Sequence, residues 1–383
     1  MIVGVDIREW QPGNQTGIGR FLEEFLRVAT QARPTDRFLL VGDATCEVRV
    51  DTANIRATRI PERWTPWWDQ VSLPRALARL GADVLYSPYI KVPLRAPFPV
   101  VSTIHDLTFF LRRDYNRRPA DALVNVPFRV FCRLVARRAA AIIVDSVTSA
   151  RDVRRLLGAD PAKLHVVPLA TAAAYRPDGD RTADAAVWSR YGVARGYVFS
   201  VGGMWPHKNV PRVVRAHAAL PEALRARHPL VLAGGPLPED LGRLLRSPQI
   251  AAGTRLLGVV AEADLPALYR GAALFVFPSH YEGFGLPALE AMACGTPVLC
   301  STAPALVELT GDAADHVDPE DEAGWRDGLY TLLQDPDRRA AMTARGRVRA
   351  AGFRPEQMAG DILKVLDEAV ACTHREPQGE REE

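Results

Sequence analysis

The sequence predicts an α/β protein of two domains, each a doubly wound parallel sheet, facing each other across a cleft. Three observations carry that prediction. The chain has 383 residues, more than one ordinary core takes and enough for two domains of about 150–200 residues. Short, continuous runs of Val, Ile and Leu alternate with helical stretches, which implies right-handed crossovers and parallel pairing. The same plan then runs a second time. Most of the apolar runs end in Gly, Ser, Asp or Pro, as strands buried on both faces do, and ligands of such sheets lie beyond the carboxyl ends of the strands.

In chain order, the first half offers the strands MIVGVDI, RFLLVG, DVLYSP, PVVSTIHD and AAIIVDS. Between them lie stretches such as Arg20–Ala29 and Pro127–Arg138, where apolar residues recur three and four apart. The second half offers YVFSVGG, HPLVLAGGP, TRLLGVV, ALFVFPS and TPVLCS. A Pro, Asp and Gly cluster opens the stretch from Tyr175 to Val193, which reads as the linker. The expected domains are therefore 1–177 and 178–355, followed by an amphipathic closing helix at 356–372. The charged, proline-containing tail 373–383 reads as disordered. Beyond the two-domain duplication there is no repeat and no low-complexity tract.

A hydrophobic content of 48% with 24% charged residues places the chain among soluble globular proteins. No apolar run approaches the ~20 residues of a membrane span. The opening MIVGVDIREW is a short strand pattern containing an acid, unlike the basic stretch and long apolar core of a signal peptide. Cys46, Cys132, Cys294, Cys300 and Cys372 form no CxxC pair or metal-ligand spacing, which fits buried thiols in a reducing cytoplasm. The charge divides unevenly. Residues 1–177 hold 26 Lys and Arg against 17 Asp and Glu, net +9, and residues 178–383 hold 22 against 28, net −6. A basic half suits an anionic partner or a membrane surface at the inner face of the membrane, and equally a set of solvated helix faces. Nucleic-acid binding is not expected, because the net charge is mild and aromatic–basic interleaving is confined to small patches.

The sharpest chemical signal is SHYEGFGLPALEAMACGTPVLC, residues 279–300. A buried strand runs into a glycine turn and then a helix with Pro287 in its first turn. Gly283 and Gly285 let backbone N–H groups approach an anion at the helix start. Glu282 before the turn and Glu290 on the helix can face one crevice, and carboxylates accept hydrogen bonds from paired sugar or ribose hydroxyls. In VGGMWPHKN, residues 201–209, a strand ends in glycines and Lys208 follows at the head of the next helix, where an ammonium neutralises phosphate. Only Lys91, Lys163, Lys208 and Lys364 are lysines among 48 basic residues, which singles out the ammonium at 208. Gly234 and Gly235 end another strand and permit close approach of a ligand, although an ordinary turn explains them as well.

The first half adds four weaker signals. GNQTGIGR, residues 13–20, opens a helix with Gly17 and Gly19 and carries Arg20. It reads as a loop over a phosphate or as a plain helix start. His105 and Asp106 end a buried strand, from which the histidine can donate to a sugar oxygen or simply be satisfied within the fold. Trp64, Trp67 and Trp68 stand in RWTPWWDQ, suited to stacking on a sugar, resting at a membrane interface or packing a core. Arg112, Arg113, Arg117 and Arg118 suit an anionic acceptor, lipid headgroups or a solvated face.

Together these residues resemble a retaining glycosyltransferase of family 4, the group with the GT-B fold. The likeness covers nearly the whole chain and is most specific in EGFGLPALEAMACGTPV, then in GGMWPHKN, with support from GIGR and IHDLTFF. The resemblance implies two Rossmann-like domains, an acceptor-binding N-terminal one and a nucleotide-sugar-binding C-terminal one. It implies transfer from a nucleoside diphosphate sugar with retention, without a metal or other cofactor, to a sugar, lipid-linked or natural-product acceptor. By position, Glu282 resembles the acid that holds donor sugar hydroxyls, with the backbone of Gly283, Phe284, Gly285 and Leu286. Glu290 resembles the acid that takes the ribose hydroxyls, Lys208 the diphosphate-binding lysine and His105 the histidine near the donor sugar. Gly17 resembles the glycine loop beneath the diphosphate; Gly203, Met204, His207 and Gly234 belong to the same donor-binding set. LLGVVAEADLPALY matches the base-side segment, so Val259 and Val260 border the nucleobase.

One departure stands out. Many relatives carry an arginine at the position of Gly203 or, in a P-R-K-N variant, of His207; here both lack it. Neutralisation of the diphosphate then rests on Lys208, helix N–H groups and a protonated His207. The P-x-K-N variant makes GDP-mannose the first donor expected, with UDP- and dTDP-sugars next. The arginine- and alanine-rich composition points to a high-GC bacterial genome. Two other readings fit the same architecture: a sugar-nucleotide epimerase, and a catalytically silent nucleotide-binding protein.

Overall fold

A computed structural model describes residues 1–12, 14–62, 64–111 and 119–373. Arg112, Arg113, Arg117, Arg118, Gly13 and the tail from 374 lie outside the described residues. Among the described residues the chain forms two compact units, one of residues 1–110, 119–169 and 354–373, the other of Leu111 and Ala170–Phe353.

The first unit is built on a seven-stranded sheet. Its strands lie in the order Ile55–Arg59, Arg37–Gly42, Ile2–Asp6, Val84–Ser87, Val100–Ile104, Ala141–Val144, Leu164–Val166, all parallel. The central strands are buried along their whole length, which is why they read as unbroken apolar runs. Helix Gly17–Ala32 lays Phe21, Leu22, Phe25, Leu26 and Ala29 into the core. Its first turn is capped by Thr16, whose hydroxyl accepts from the Gly19 amide at 3.0 Å. A small hairpin, Trp10–Gln11 with Asn14–Gln15, precedes it. Trp10 is fully buried and donates its indole N–H to the Gly19 carbonyl at 2.9 Å.

The closing helix, Pro355–Thr373, packs against helix Gly17–Ala32 and three strands of this first sheet. Arg33 donates to Asp367 across that contact at 2.7 Å. The chain therefore returns to its first unit after completing the second, a pairing that the amphipathic pattern alone does not specify.

The second unit has six parallel strands in the order Thr254–Gly258, Leu230–Ala233, Tyr197–Val201, Ala272–Phe277, Val298–Ser301, Ala314–Val317. In both sheets the third strand from the left is the earliest in the chain, and sequence order reverses to its right. That reversal is the topological switch point at which doubly wound sheets open a crevice. In the second unit it falls between Tyr197–Val201 and Ala272–Phe277, and in the first between Ile2–Asp6 and Val84–Ser87.

The expected linker, Tyr175–Val193, differs from the reading. Most of it is a helix, Arg181–Arg190, capped by Asp180 and seated on helix Leu265–Gly271 of the second unit. Trp188 donates its indole N–H to the Ala267 carbonyl at 2.8 Å. Arg270 grips Asp184 through two hydrogen bonds of 2.6 and 2.7 Å, and Arg190 reaches Asp264 at 2.8 Å. These partners lie about 80 residues further along the chain, beyond the reach of a local pattern. Arg270 and Asp184 retain little exposure, 14% and 8%, so removing one leaves a buried charge. Asp184→Ala should therefore destabilise the second unit by about 3 kcal/mol, measured as a fall in the urea midpoint at unchanged slope.

Candidate active site

In the second unit, the loops leaving the two switch-point strands bring the strongest sequence signals together. After Tyr197–Val201 the chain passes Gly202, Gly203 and the buried Met204 into a 3₁₀ turn, Pro206–Lys208. Asn209 then takes a left-handed conformation, φ 54°, and the next helix starts at Val210. The Asn209 amide is tied to the carbonyls of Pro278 at 3.2 Å and Pro319 at 2.7 Å. This fixes the turn to the loop after the neighbouring strand.

That second loop carries Glu282. Lys208 donates from Nζ to Glu282 Oε1 at 2.7 Å, with its ammonium 5.2 Å from the centre of the Phe277 ring. Both side chains are mostly covered, 19% and 11% exposed. The two residues expected to hold phosphate and sugar thus meet directly, 74 positions apart in sequence. Gly283, Phe284 and Gly285 are buried and lead into helix Leu286–Ala293. Gly285 has φ 107°, and a Cβ there would lie 2.4 Å from Leu306; only glycine permits this entry.

Glu290, expected to face the crevice with Glu282, lies on helix Leu286–Ala293. It is 2% exposed, and its Oε2 accepts from the hydroxyl of Tyr269 at 2.8 Å. Tyr269 is fully buried within an aromatic cluster with Tyr175, Phe199 and Phe275. The helix is buried on every side over this stretch, with Ala288, Leu289, Ala291 and Met292 buried as well.

Gly234 and Val259 share the next corner. The Gly234 amide donates to the Gly258 carbonyl at 2.7 Å, and a Cβ on Gly234 would fall 1.9 Å from the Gly202 carbonyl. The glycine is therefore a requirement of two loops passing each other. Val259 is 81% exposed beside Gly235, and Val260 is half-buried. Gly203 lies against the indole of Trp205, 2.7 Å from where a Cβ would stand. That ring occupies the direction in which an arginine at 203 would leave the backbone. His207 accepts at its carbonyl from the His280 amide at 2.8 Å.

In the first unit, Gly17 begins its helix with open space at its Cβ position. Phe21, one turn further, meets His105 edge to face at 5.1 Å. His105 itself is engaged at both ring nitrogens: Nδ1 with Asp145 Oδ2 at 2.8 Å, Nε2 with the Pro88 carbonyl at 3.0 Å. A carbonyl only accepts, so Nε2 carries a proton. The structure thus makes His105 a strap between strand ends, and a role as donor to a sugar oxygen requires release from Pro88. Of the tryptophans, Trp68 is buried beneath the guanidinium of Arg8 at 3.8 Å, whereas Trp64 and Trp67 are exposed. Cys46, Cys132, Cys294 and Cys300 are buried and Cys372 is exposed. Burial pushes the buried thiols up to about 12.

Sequence reading missed Tyr269, Phe277 and Asp145. Phe277 and Asp145 close apolar strand runs, and Tyr269 ends a helical one, so each looked like packing or punctuation.

Two doubly wound sheets of this order, with a lysine–glutamate pair at the switch point of the second, define the class: a glycosyltransferase of the GT-B fold. Residues 193–349 match the family described as Glycosyl transferases group 1, and residues 25–174 match Glycosyltransferase Family 4. The chain belongs to family 4 of the glycosyltransferases. It is 34% identical over 273 residues to the O-antigen chain mannosyltransferase B of Escherichia coli, covering 70% of each chain. It is 37% identical over 254 residues to the D-inositol 3-phosphate glycosyltransferase of Salinispora arenicola, covering 62% of this chain and 57% of that relative. Among solved structures, the sucrose-phosphate synthase of Thermosynechococcus elongatus matches with a TM-score of 0.77 at 19% identity, over 97% of this chain and 99% of that one. HepE of Anabaena, solved with UDP-glucose, matches with a TM-score of 0.74 at 19% identity, over 96% and 99%.

The His105–Asp145 contact has a measurable signature. Burial pulls the imidazole down, but the Asp145 charge and hydrogen bond outweigh it and raise the His105 pKa. A raised folded value stabilises the fold fully below the ordinary ~6.5, and that stability is lost as pH rises through the folded value. The His105 ring protons should titrate above ~6.5 by NMR. The accompanying loss of unfolding free energy with rising pH should disappear in His105→Gln.

Proposed function

We propose that the chain is a retaining hexosyltransferase that moves a sugar from a nucleoside diphosphate donor to a hydroxyl of a glycan, glycolipid or natural-product acceptor. The observation that carries this reading is the Lys208–Glu282 pair at the switch point of the six-stranded sheet. Lys208 leaves its carboxylate partner for the diphosphate, and Glu282 turns to the donor sugar hydroxyls. The amides of Gly283–Leu286 at the start of helix Leu286–Ala293 face the developing negative charge. Tyr269 holds one oxygen of Glu290, so that the ribose contact assigned to Glu290 depends on a fixed carboxylate. Val259, exposed beside the Gly234–Gly235 turn, borders the base.

In this mechanism the acceptor hydroxyl attacks the anomeric carbon from the face the diphosphate leaves. The new C–O bond forms as the sugar–phosphate bond breaks, and the hydroxyl proton passes to the departing phosphate oxygen. The chain supplies orientation and charge stabilisation, without a metal or other cofactor. Glu282 is given no general-base role, because the departing phosphate oxygen takes the proton. GDP-mannose is the first donor proposed, supported by the likeness to a mannosyltransferase.

The reading also assigns a peripheral contact with anionic lipid on the cytoplasmic side. Helix Pro119–Arg138 exposes Val126, Val130 and Leu134 at intervals of four, interleaved with the exposed Arg133 and Arg137. Among the described residues no helix is long and apolar enough to cross a membrane.

Lys208→Ala and Glu282→Ala should each lower kcat/KM by about 2–4 kcal/mol, while a melting screen against GDP, UDP, dTDP and ADP identifies the base. Wild-type kinetics in Lys208→Ala would overturn the phosphate assignment. Donor alone separates the rival activities: an epimerase alters the sugar, and a silent binder neither alters nor transfers it. Paired Val130→Glu and Leu134→Glu changes should largely abolish cosedimentation with phosphatidylglycerol vesicles.

A further inference from the structure

The switch point of the first sheet holds a cavity of about 190 Å³ that lies wholly within the first unit. Asp6 ends the strand on one side of the reversal, Ser87 ends the strand on the other, and Pro88 and Tyr89 follow it. Its volume is below the ~300–1,000 Å³ of drug-sized sites and suits one small polar ring. The lining is almost entirely polar, and its charges are lopsided. Among the described residues it presents Asp6, Glu9, Asp43 and Glu62 against Arg8 and Lys91.

Arg8 is already committed. Its guanidinium donates to Asp6 at 2.7 Å and Asp69 at 2.6 Å, lies 3.5 Å from Glu62, and stacks on Trp68. A phosphate entering here meets a surplus of carboxylates, a guanidinium already held by Asp6 and Asp69, and Lys91 as the one further cation of the described lining. Hydroxyl groups, by contrast, find acceptors on several sides. Glu62 and Thr65 belong to the same short segment as Trp64 and Trp67, which are 65% and 55% exposed. Neither indole lines the cavity itself, but an exposed indole in the segment that does offers an apolar face on which a sugar can stack.

We propose that this cavity binds the terminal sugar of the acceptor and selects a neutral ring over a phosphorylated one, with Trp64 and Trp67 stacking on the adjoining sugar. The inference rests on the glycosyltransferase reading and deepens it. Of the two relatives named above, one is an O-antigen chain mannosyltransferase and the other a D-inositol 3-phosphate glycosyltransferase, whose name includes a phosphorylated ring. The cavity's charge places this chain with the first.

The test uses the full chain with α-mannobiose, mannobiose 6-phosphate and inositol 3-phosphate as probes. Saturation-transfer NMR reads binding without turnover, and transfer from GDP-mannose reads KM. Mannobiose should bind at least about tenfold more tightly than either phosphate. Glu62→Gln and Asp43→Asn should narrow that ratio, and Trp67→Ala should weaken mannobiose, while each variant keeps the melting shift given by nucleotide. Preference for a phosphorylated probe, or a ratio untouched by both carboxylate changes, overturns the proposal. If mannobiose binds as described but nothing is transferred, the transferase reading fails and the sugar site stands. If transfer occurs to a phosphorylated probe alone, the transferase reading stands and the sugar site fails.

Discussion

In a doubly wound sheet the crossovers on either side of the first strand go to opposite faces, so a crevice must open where chain order reverses. That constraint governs both units. In the second, it sends the loops after Tyr197–Val201 and Ala272–Phe277 apart and leaves their ends facing one gap. Closing the gap requires special backbone on both sides: the left-handed Asn209, the crossing glycines at 202 and 234, and Gly285 against Leu306. Lys208 and Glu282 are carried to 2.7 Å by those devices. The ion pair is thus the product of topology first and of sequence proximity not at all.

The pair also gives Lys208 its own counter-charge where the arginine common at 203 or 207 is absent. A lysine left alone over the Phe277 ring would carry an uncompensated charge in a partly closed place. Glu282 compensates it until an anion arrives. A second cation beside Lys208 would have to share that one carboxylate, and at 203 it would also have to displace the Trp205 indole. One ammonium and one carboxylate form a balanced resting state.

The fold was legible because strands buried on both faces write themselves as unbroken apolar runs, and ten such runs in alternation admit few topologies. What was not legible depended on distant partners. The helix Arg181–Arg190 begins with turn residues and has a poor apolar stripe, and it is a helix of the second unit because Trp188, Asp184 and Arg190 find partners on or beside helix Leu265–Gly271. The closing helix was visible as amphipathic, but its docking on the first sheet was not. At the candidate site, the strand–turn–helix around Glu282 and Glu290 was legible, yet nothing local said that Glu290 would sit beneath Tyr269. His105 was read correctly as a strand-end histidine, while the Pro88 and Asp145 contacts that constrain it come from two other strand ends.

The uneven charge of the chain takes on meaning at this level. The basic first half is not basic at its switch point: there carboxylates outnumber cations among the described lining residues, and Arg8 is locked in place by Asp6 and Asp69. Its positive charge lies on other surfaces, including Arg133 and Arg137 on helix Pro119–Arg138. The acidic second half likewise places a lysine, one of four in the chain, at its own switch point. Net charge acts over a long range and is screened within about 10 Å in ordinary salt, so it influences which surfaces or ligands approach. The crevice groups act at contact distance and decide what stays. At one crevice Lys208 faces Glu282, and at the other carboxylates outnumber cations among the described lining residues. That division requires local charge to be set independently of the bulk, as the pairing of Lys208 with Glu282 and of Arg8 with Asp6 achieves.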